Sequence, residues 1–138
     1  MDKKIKENIL SSLRFKKLWL TIGWSLVIAV IALSLMPPPP PMISSFDFGD
    51  KIGHFIAYFV LMGWFAQIYH APRQRLYCMI GFLLLGGLLE VLQGLGETRQ
   101  ADWADALANS IGVLVAWQLT KTRLAYVLTY FEQKWINR

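Results

Sequence analysis

Residues 18–46 contain no Asp, Glu, Lys or Arg, and five consecutive prolines, at 37–41, divide that run. The part before them, 18–36, has the roughly 20 apolar residues that a helix needs to cross a bilayer core. Proline ends the helix there, because it lacks the N–H of the helical ladder and pushes the residue before it into extended backbone. A membrane span is the reading that fits, and composition agrees. Of 138 residues, 55% are hydrophobic and 17% are charged, against about 25% charged in an ordinary soluble domain. This length excludes a multidomain enzyme, and the single cysteine, Cys78, excludes an internal disulfide or a CxxC metal knuckle.

Three further spans follow. Residues 52–70 are again free of Asp, Glu, Lys and Arg. Residues 76–94 and 103–120 reach membrane length only by including Glu90 and Gln93 in the first and Asp105 and Asn109 in the second. Trp19, Tyr69, Tyr77, Trp103 and Trp117 stand at span ends, where aromatic side chains favour the interface. The expected fold is an all-α polytopic membrane protein: one domain, 1–138, built as a four-helix transmembrane bundle with interfacial amphipathic helices at 1–17 and 121–138. The first span is expected to be retained, its apolar stretch being longer than a secretory signal core. The loop 37–50 reads as a polyproline II spacer over the outer surface. Within 121–138, Leu124, Val127, Leu128, Phe131 and Trp135 recur with the helical period. Ile5, Ile9 and Leu13 hint at a shorter helix of the same kind.

Charge orients the bundle. With both termini cytoplasmic, 12 of the 14 basic residues lie on the inner side, leaving Lys51 and Arg99 outside. Six of the nine acids, Asp47, Asp50, Glu90, Glu97, Asp102 and Asp105, fall on the outer half. The net charge of +5 therefore reports topology, and no nucleic-acid partner is expected. Ala104, Ala108, Gly112 and Ala116 recur every four residues down span four and allow close helix approach, with Gly81, Gly86 and Gly87 doing similar work on span three. Cys78 reads as an inert buried thiol.

Packing does not account for the polar residues. Lys51, His54 and Tyr58 are spaced i, i+3, i+7 on the outer end of span two; Glu90 and Gln93 are i, i+3 on span three; Asp102, Asp105 and Asn109 are i, i+3, i+7 on span four, with Arg99 just before. Three helices thus present a polar face at one depth, with Lys51 and Arg99 as partners for Glu90, Asp102 and Asp105. Interhelical hydrogen bonding is one reading, worth about 0.6 kcal/mol per bond. So many ionisable groups at one depth exceed that need, so a site open to the outer face is preferred.

In order and placement, DKIGH (Asp50, Lys51, His54) followed by Tyr58, EVLQ (Glu90, Gln93) and RQADWADALANSIG (Arg99, Asp102, Asp105, Asn109, Gly112) strongly resemble the VanZ-like family of small bacterial membrane proteins over residues 47–120. That family is named for a protein that lowers susceptibility to teicoplanin, a lipid-tailed glycopeptide. The resemblance implies residence in the bacterial cytoplasmic (inner) membrane and a link to envelope antibiotics. The early end of the chain after span four and the five-proline loop are departures from the family pattern.

The preferred expectation is a protein that binds or modifies an amphipathic envelope component: a lipid, a cell-wall precursor or the glycopeptide itself. Its binding set would be Asp50, Lys51, His54, Tyr58, Glu90, Gln93, Arg99, Asp102, Asp105 and Asn109. Lys51 and Arg99 would hold an anionic head group, and Glu90, Asp102 and Asp105 amines or hydroxyls. The alternative is an intramembrane hydrolase or transferase with His54, Glu90 and Asp105 as catalytic candidates. Ser110 faces away from Asn109, so water would attack; a metal on Glu90, Asp105 and His54 could activate it. One histidine and no HxxxH pair make that a weak pattern, and neither metal nor cofactor is expected. A proton-coupled transporter would need an ionisable group near the midplane, and the inner halves of the spans lack Asp, Glu, Lys and Arg. Self-association into a homo-oligomer stays open.

Overall fold

The computed structural model describes residues 13–37, 47–96 and 100–136, and among these the chain is all-helical. Five α-helices are formed: α1 (Lys16–Leu35), α2 (Asp47–Ile68), α3 (Pro72–Leu95), α4 (Trp103–Leu119) and α5 (Val127–Ile136), with a 3₁₀ turn at Arg123–Tyr126 leading into the last. Three segments, Lys16–Leu35, Gly49–Ile68 and Pro72–Leu95, are long and apolar enough to cross a membrane. The hinted N-terminal helix falls largely outside the described residues, as does the proline run after Pro37.

Local chemistry sets the boundaries. α1 begins at Lys16, so Lys16 and Lys17 form its first turn rather than a preceding segment. It ends at Leu35, where Met36 turns extended (φ −73°, ψ 149°) ahead of Pro37. α2 stops at Ile68, short of the expected residue 70, because Tyr69–Ala71 form the link to Pro72. That proline opens α3 from its first turn, a position where its missing N–H has no helical partner to lose, so α3 starts four residues earlier than expected. At α4, Asp102 is the N-cap and accepts the Ala104 N–H at 2.8 Å.

α2 is the centre of the bundle. It buries Tyr58, Leu61, Met62, Phe65 and Ala66, and these pack with Val27 of α1, Phe82 of α3, and Val113 and Ala116 of α4. α1 buries only Gly23 and Val27 and exposes Trp24, Ile28 and Leu33, the pattern of a helix surrounded by apolar solvent. The tightest seam is α2 against α4, which run in the same direction. Here a Cβ on Gly112 would penetrate the Phe55 carbonyl oxygen and stand 3.1 Å from the Phe59 nitrogen, so only glycine admits this approach. Gly86 is similarly close to Tyr58 and Asn109, but Gly81 and Gly87 face open space and take no part in helix packing. The expected three-glycine surface on α3 thus reduces to one residue.

The end opposite Asp102 is closed by buried polar side chains. The Arg75 guanidinium, 8% exposed, donates to the carbonyls of Tyr69 (2.8 Å), Thr120 (2.9 Å) and Ala66 (3.0 Å) and so ties together the ends of three helices. Glu132 of α5 accepts the Arg14 and Phe15 N–H groups at 2.7 and 3.0 Å and the Trp19 indole N–H, satisfying donors at the start of α1. α5 turns Thr129 and Glu132 inward and leaves Val127, Phe131 and Trp135 outside, with Leu124 of the preceding turn also exposed.

Candidate functional site

Two helices with the same polar spacing meet face to face at the acidic end of the bundle. Because α2 and α4 run in the same direction and close on Gly112, the Lys51–His54–Tyr58 face of α2 lies against the Asp102–Asp105–Asn109 face of α4. Lys51 Nζ donates to Asp102 Oδ2 at 2.9 Å and to Asp105 Oδ1 at 3.3 Å. His54 Nδ1 is 3.1 Å from Asn109 Oδ1, and its Nε2 is 3.5 Å from Asp105 Oδ2 and 3.9 Å from Asp50 Oδ2. Asp105 is 5% exposed, whereas the Asp50 side chain is 55% exposed at the rim.

Glu90 reaches this cluster from α3 through the backbone of α4 rather than through Lys51, one of the two basic partners expected for the acids. Its Oε1 accepts the Asp102 backbone N–H, so it anchors the N-cap of α4. Among the described residues its Oε2 has no hydrogen-bond partner, and neither has the Tyr58 hydroxyl, although both residues are almost wholly enclosed. Gln93 donates from Nε2 to the Ser34 carbonyl at 2.7 Å and ties α3 to the end of α1; its amide serves the scaffold. Arg99 lies outside the described residues. Asp102 is exposed, and the Lys51 ammonium, aided by the Ala104 N–H, holds its carboxyl below the usual carboxylate range.

A cavity of about 250 Å³ opens beside the cluster, lined by Asp50, His54 and Tyr58 and walled by Val30, Leu33 and Ala57. Its apolar wall is therefore Val, Leu and Ala, with α1 supplying the first two. It is smaller than the roughly 300 Å³ at which drug-sized pockets begin, so it suits a head group. Larger apolar grooves of about 590 and 560 Å³ lie toward the other end, beneath α5 and between α1 and α3.

Asp50, His54 and Asp105 each offer a ligand atom, all within 4.8 Å of one another. This set differs from the Glu90–Asp105–His54 combination considered from sequence, because Glu90 is turned toward the α4 N-terminus. Sequence reasoning missed Ser34, whose carbonyl holds Gln93, while Gly86, expected as a packing glycine, stands against Tyr58 and Asn109. Ser34 carries no spacing signal, since it acts through its backbone carbonyl near the end of an apolar helix. No family model matches the chain, and no curated protein or solved structure matches it.

Proposed function

We propose that this is a VanZ-like integral membrane protein of the bacterial cytoplasmic membrane. Its four helices α1–α4 cross the bilayer, both termini are cytoplasmic, α5 lies on the inner leaflet, and the acidic end opens outward. α4, with 17 residues, rises only about 26 Å against a core of about 30 Å. Its packing along α2 and its buried Asp105 and Asn109 fit a span shielded by protein. The exposed apolar side of α5 and the concentration of Lys and Arg at that end support the same orientation.

In this reading the outer-end cluster binds or modifies an amphipathic envelope component and lowers susceptibility to lipoglycopeptides such as teicoplanin. The observation that carries it is the meeting of Lys51, His54, Glu90, Asp102, Asp105 and Asn109 beside a head-group-sized cavity whose lower wall is apolar. A polar head would engage the cluster while its acyl tail stays in the bilayer along α1. The second reading, a hydrolase or transferase, rests on the His54–Asp105 approach at 3.5 Å, the arrangement by which a carboxylate orients a general base.

The test is expression in a teicoplanin-susceptible host, with teicoplanin and vancomycin sensitivity compared among wild type and expression-matched His54→Ala, Glu90→Gln and Asp105→Asn. Protection that disappears in these variants is expected; protection surviving all three would overturn the site. An enzyme would change the extracted lipid or precursor profile with turnover, whereas a binder saturates in proportion to its amount. Reporter fusions at Gly49 and Gln74 should read outside and inside respectively, and an inward Gly49 would remove the orientation.

A further inference from the structure

We propose that Asp50, His54 and Asp105 form a divalent transition-metal site, of the class that takes Zn²⁺, with an open coordination position toward the outer cavity. This deepens the reading of the acidic end as a ligand site by assigning the element that would hold an anionic head group.

The histidine carries the argument. Asn109 Oδ1 faces His54 Nδ1 at 3.1 Å, a contact that is a hydrogen bond in the tautomer carrying its proton on Nδ1. In that tautomer Nε2 faces Asp105 Oδ2 and Asp50 Oδ2 with its lone pair, the geometry of a third ligand atom beside two carboxylates. A lone pair facing two carboxylate oxygens is repulsive until something positive stands between them. A ligating imidazole whose other N–H is fixed by an oxygen acceptor is the usual outer-shell arrangement of metal-bound histidine.

Distances agree. Metal–ligand bonds of about 2.1 Å at tetrahedral angles place ligand atoms about 3.4 Å apart. His54 Nε2 stands 3.5 Å from Asp105 Oδ2 and 3.9 Å from Asp50 Oδ2, and the three ligand atoms lie within 4.8 Å of one another, so a metal would draw the exposed Asp50 carboxylate inward. Charge agrees too: among the described residues, Asp50, Glu90, Asp102 and Asp105 share this end with one lysine, Lys51. One imidazole with carboxylates suits zinc or manganese better than calcium.

Three protein ligands leave a fourth position, as in sites that bind an exogenous group. Tyr58 is 2% exposed and lines the same cavity as Asp50 and His54, and its hydroxyl has no hydrogen-bond partner among the described residues. A hydroxyl so enclosed is a donor in want of an acceptor, and an oxygen ligand carried by the metal would supply one. The occupant of the open position is therefore an anionic oxygen group, a phosphate or carboxylate.

The test uses the full chain, purified in detergent and stripped with chelator, then titrated calorimetrically with zinc chloride and in parallel with Co²⁺ for its visible spectrum. One Zn²⁺ per chain and the intense bands of four-coordinate Co²⁺ are expected. His54→Ala and Asp105→Asn should abolish both signals, and Asn109→Ala should weaken zinc by about 10- to 100-fold, as loss of an orienting partner does. Asp50→Asn alters an exposed side chain, so it reads ligation even if the buried variants misfold; it should weaken zinc at least tenfold. His70→Gln, at the opposite end, should leave stoichiometry unchanged. Absence of stoichiometric zinc binding by wild type, or wild-type affinity in both Asp50→Asn and His54→Ala, would overturn the proposal. Because the readout is metal binding, its failure is separable from loss of the antibiotic phenotype.

Discussion

Adding one methyl group at Gly112 tests the seam on which the acidic cluster depends. In Gly112→Ala the new carbon would fall on the Phe55 carbonyl oxygen, far inside the 3.0 Å below which real contacts essentially do not occur, and 3.1 Å from the Phe59 nitrogen. Both obstacles are backbone atoms of α2, so no rotamer change relieves them and the helices must part by about 0.5 Å or more. Overpacking of this kind costs about 1–3 kcal/mol, offset by the gain of about 0.8–1.0 kcal/mol that alanine has over glycine in a helix. With rigid backbone on both sides the upper part of the range applies, leaving a net loss of about 1–2 kcal/mol. Gly87→Ala is the internal reference: its Cβ would meet nothing within 4 Å, so it should gain up to about 1 kcal/mol. The two variants should differ by about 2–3 kcal/mol in reversible unfolding from detergent micelles. The parting should also stretch the His54–Asn109 contact, 3.1 Å in the wild type, beyond bonding range and shift the His54 ring resonances, a change Gly87→Ala should not cause. Equal stability of the two variants, or an unshifted His54 in Gly112→Ala, would refute the close-approach reasoning.

Glu132→Ala strands the Arg14, Phe15 and Trp19 donors and should destabilise by at least about 3 kcal/mol, since hydrogen bonds to charged groups contribute about 1.5–3 kcal/mol each; Glu132→Gln, which keeps an acceptor oxygen, should recover part of this in the same unfolding measurement. Burial, and after it the nearby Arg75 charge, lower the His70 pKa below its ordinary 6.5, outweighing the hydrogen bond to Ala125. The unfolded chain therefore binds this proton more readily, so the His70 contribution to stability is complete above pH 6.5 and declines as pH falls below it. His70→Gln should flatten that part of the stability–pH curve, and an unchanged slope would contradict the burial argument. Lys51→Met should let the Asp102 carboxyl titrate closer to its ordinary 3.8, because the lysine hydrogen bond is the first cause of its depression; a carbon-detected NMR titration of that carboxyl reads the shift directly.

Helical spacing was enough to place Lys51, His54 and Tyr58 on one face of α2 and Asp102, Asp105 and Asn109 on one face of α4, because period alone decides which residues share a side of a helix. Opposing those faces requires that α2 and α4 be neighbours in the same direction, and the small-residue repeat ending in Gly112 and Ala116 carried that information. Partner choice was not legible. Glu90 accepts the Asp102 N–H, and Gln93 donates its amide N–H to the Ser34 carbonyl, because helix ends carry orphan backbone groups that a charge-matching argument ignores.

The opposite end teaches the converse. Scoring Arg75 as an orienting surface charge treats its side chain as solvated, yet one guanidinium supplies donors to three backbone carbonyls and is buried for that reason. Glu132 sits within an amphipathic pattern whose apolar residues were legible and whose buried face was not: α5 meets the bundle through Thr129 and Glu132, while Val127 and Phe131 stay exposed along the apolar groove beneath it. In water such an arrangement would expose a large apolar patch. In a bilayer the groove and the exposed apolar side chains of α5 meet lipid while the carboxylate meets the donors at the start of α1, so a helix that buries its polar residues and leaves its apolar ones accessible is itself an argument for the membrane.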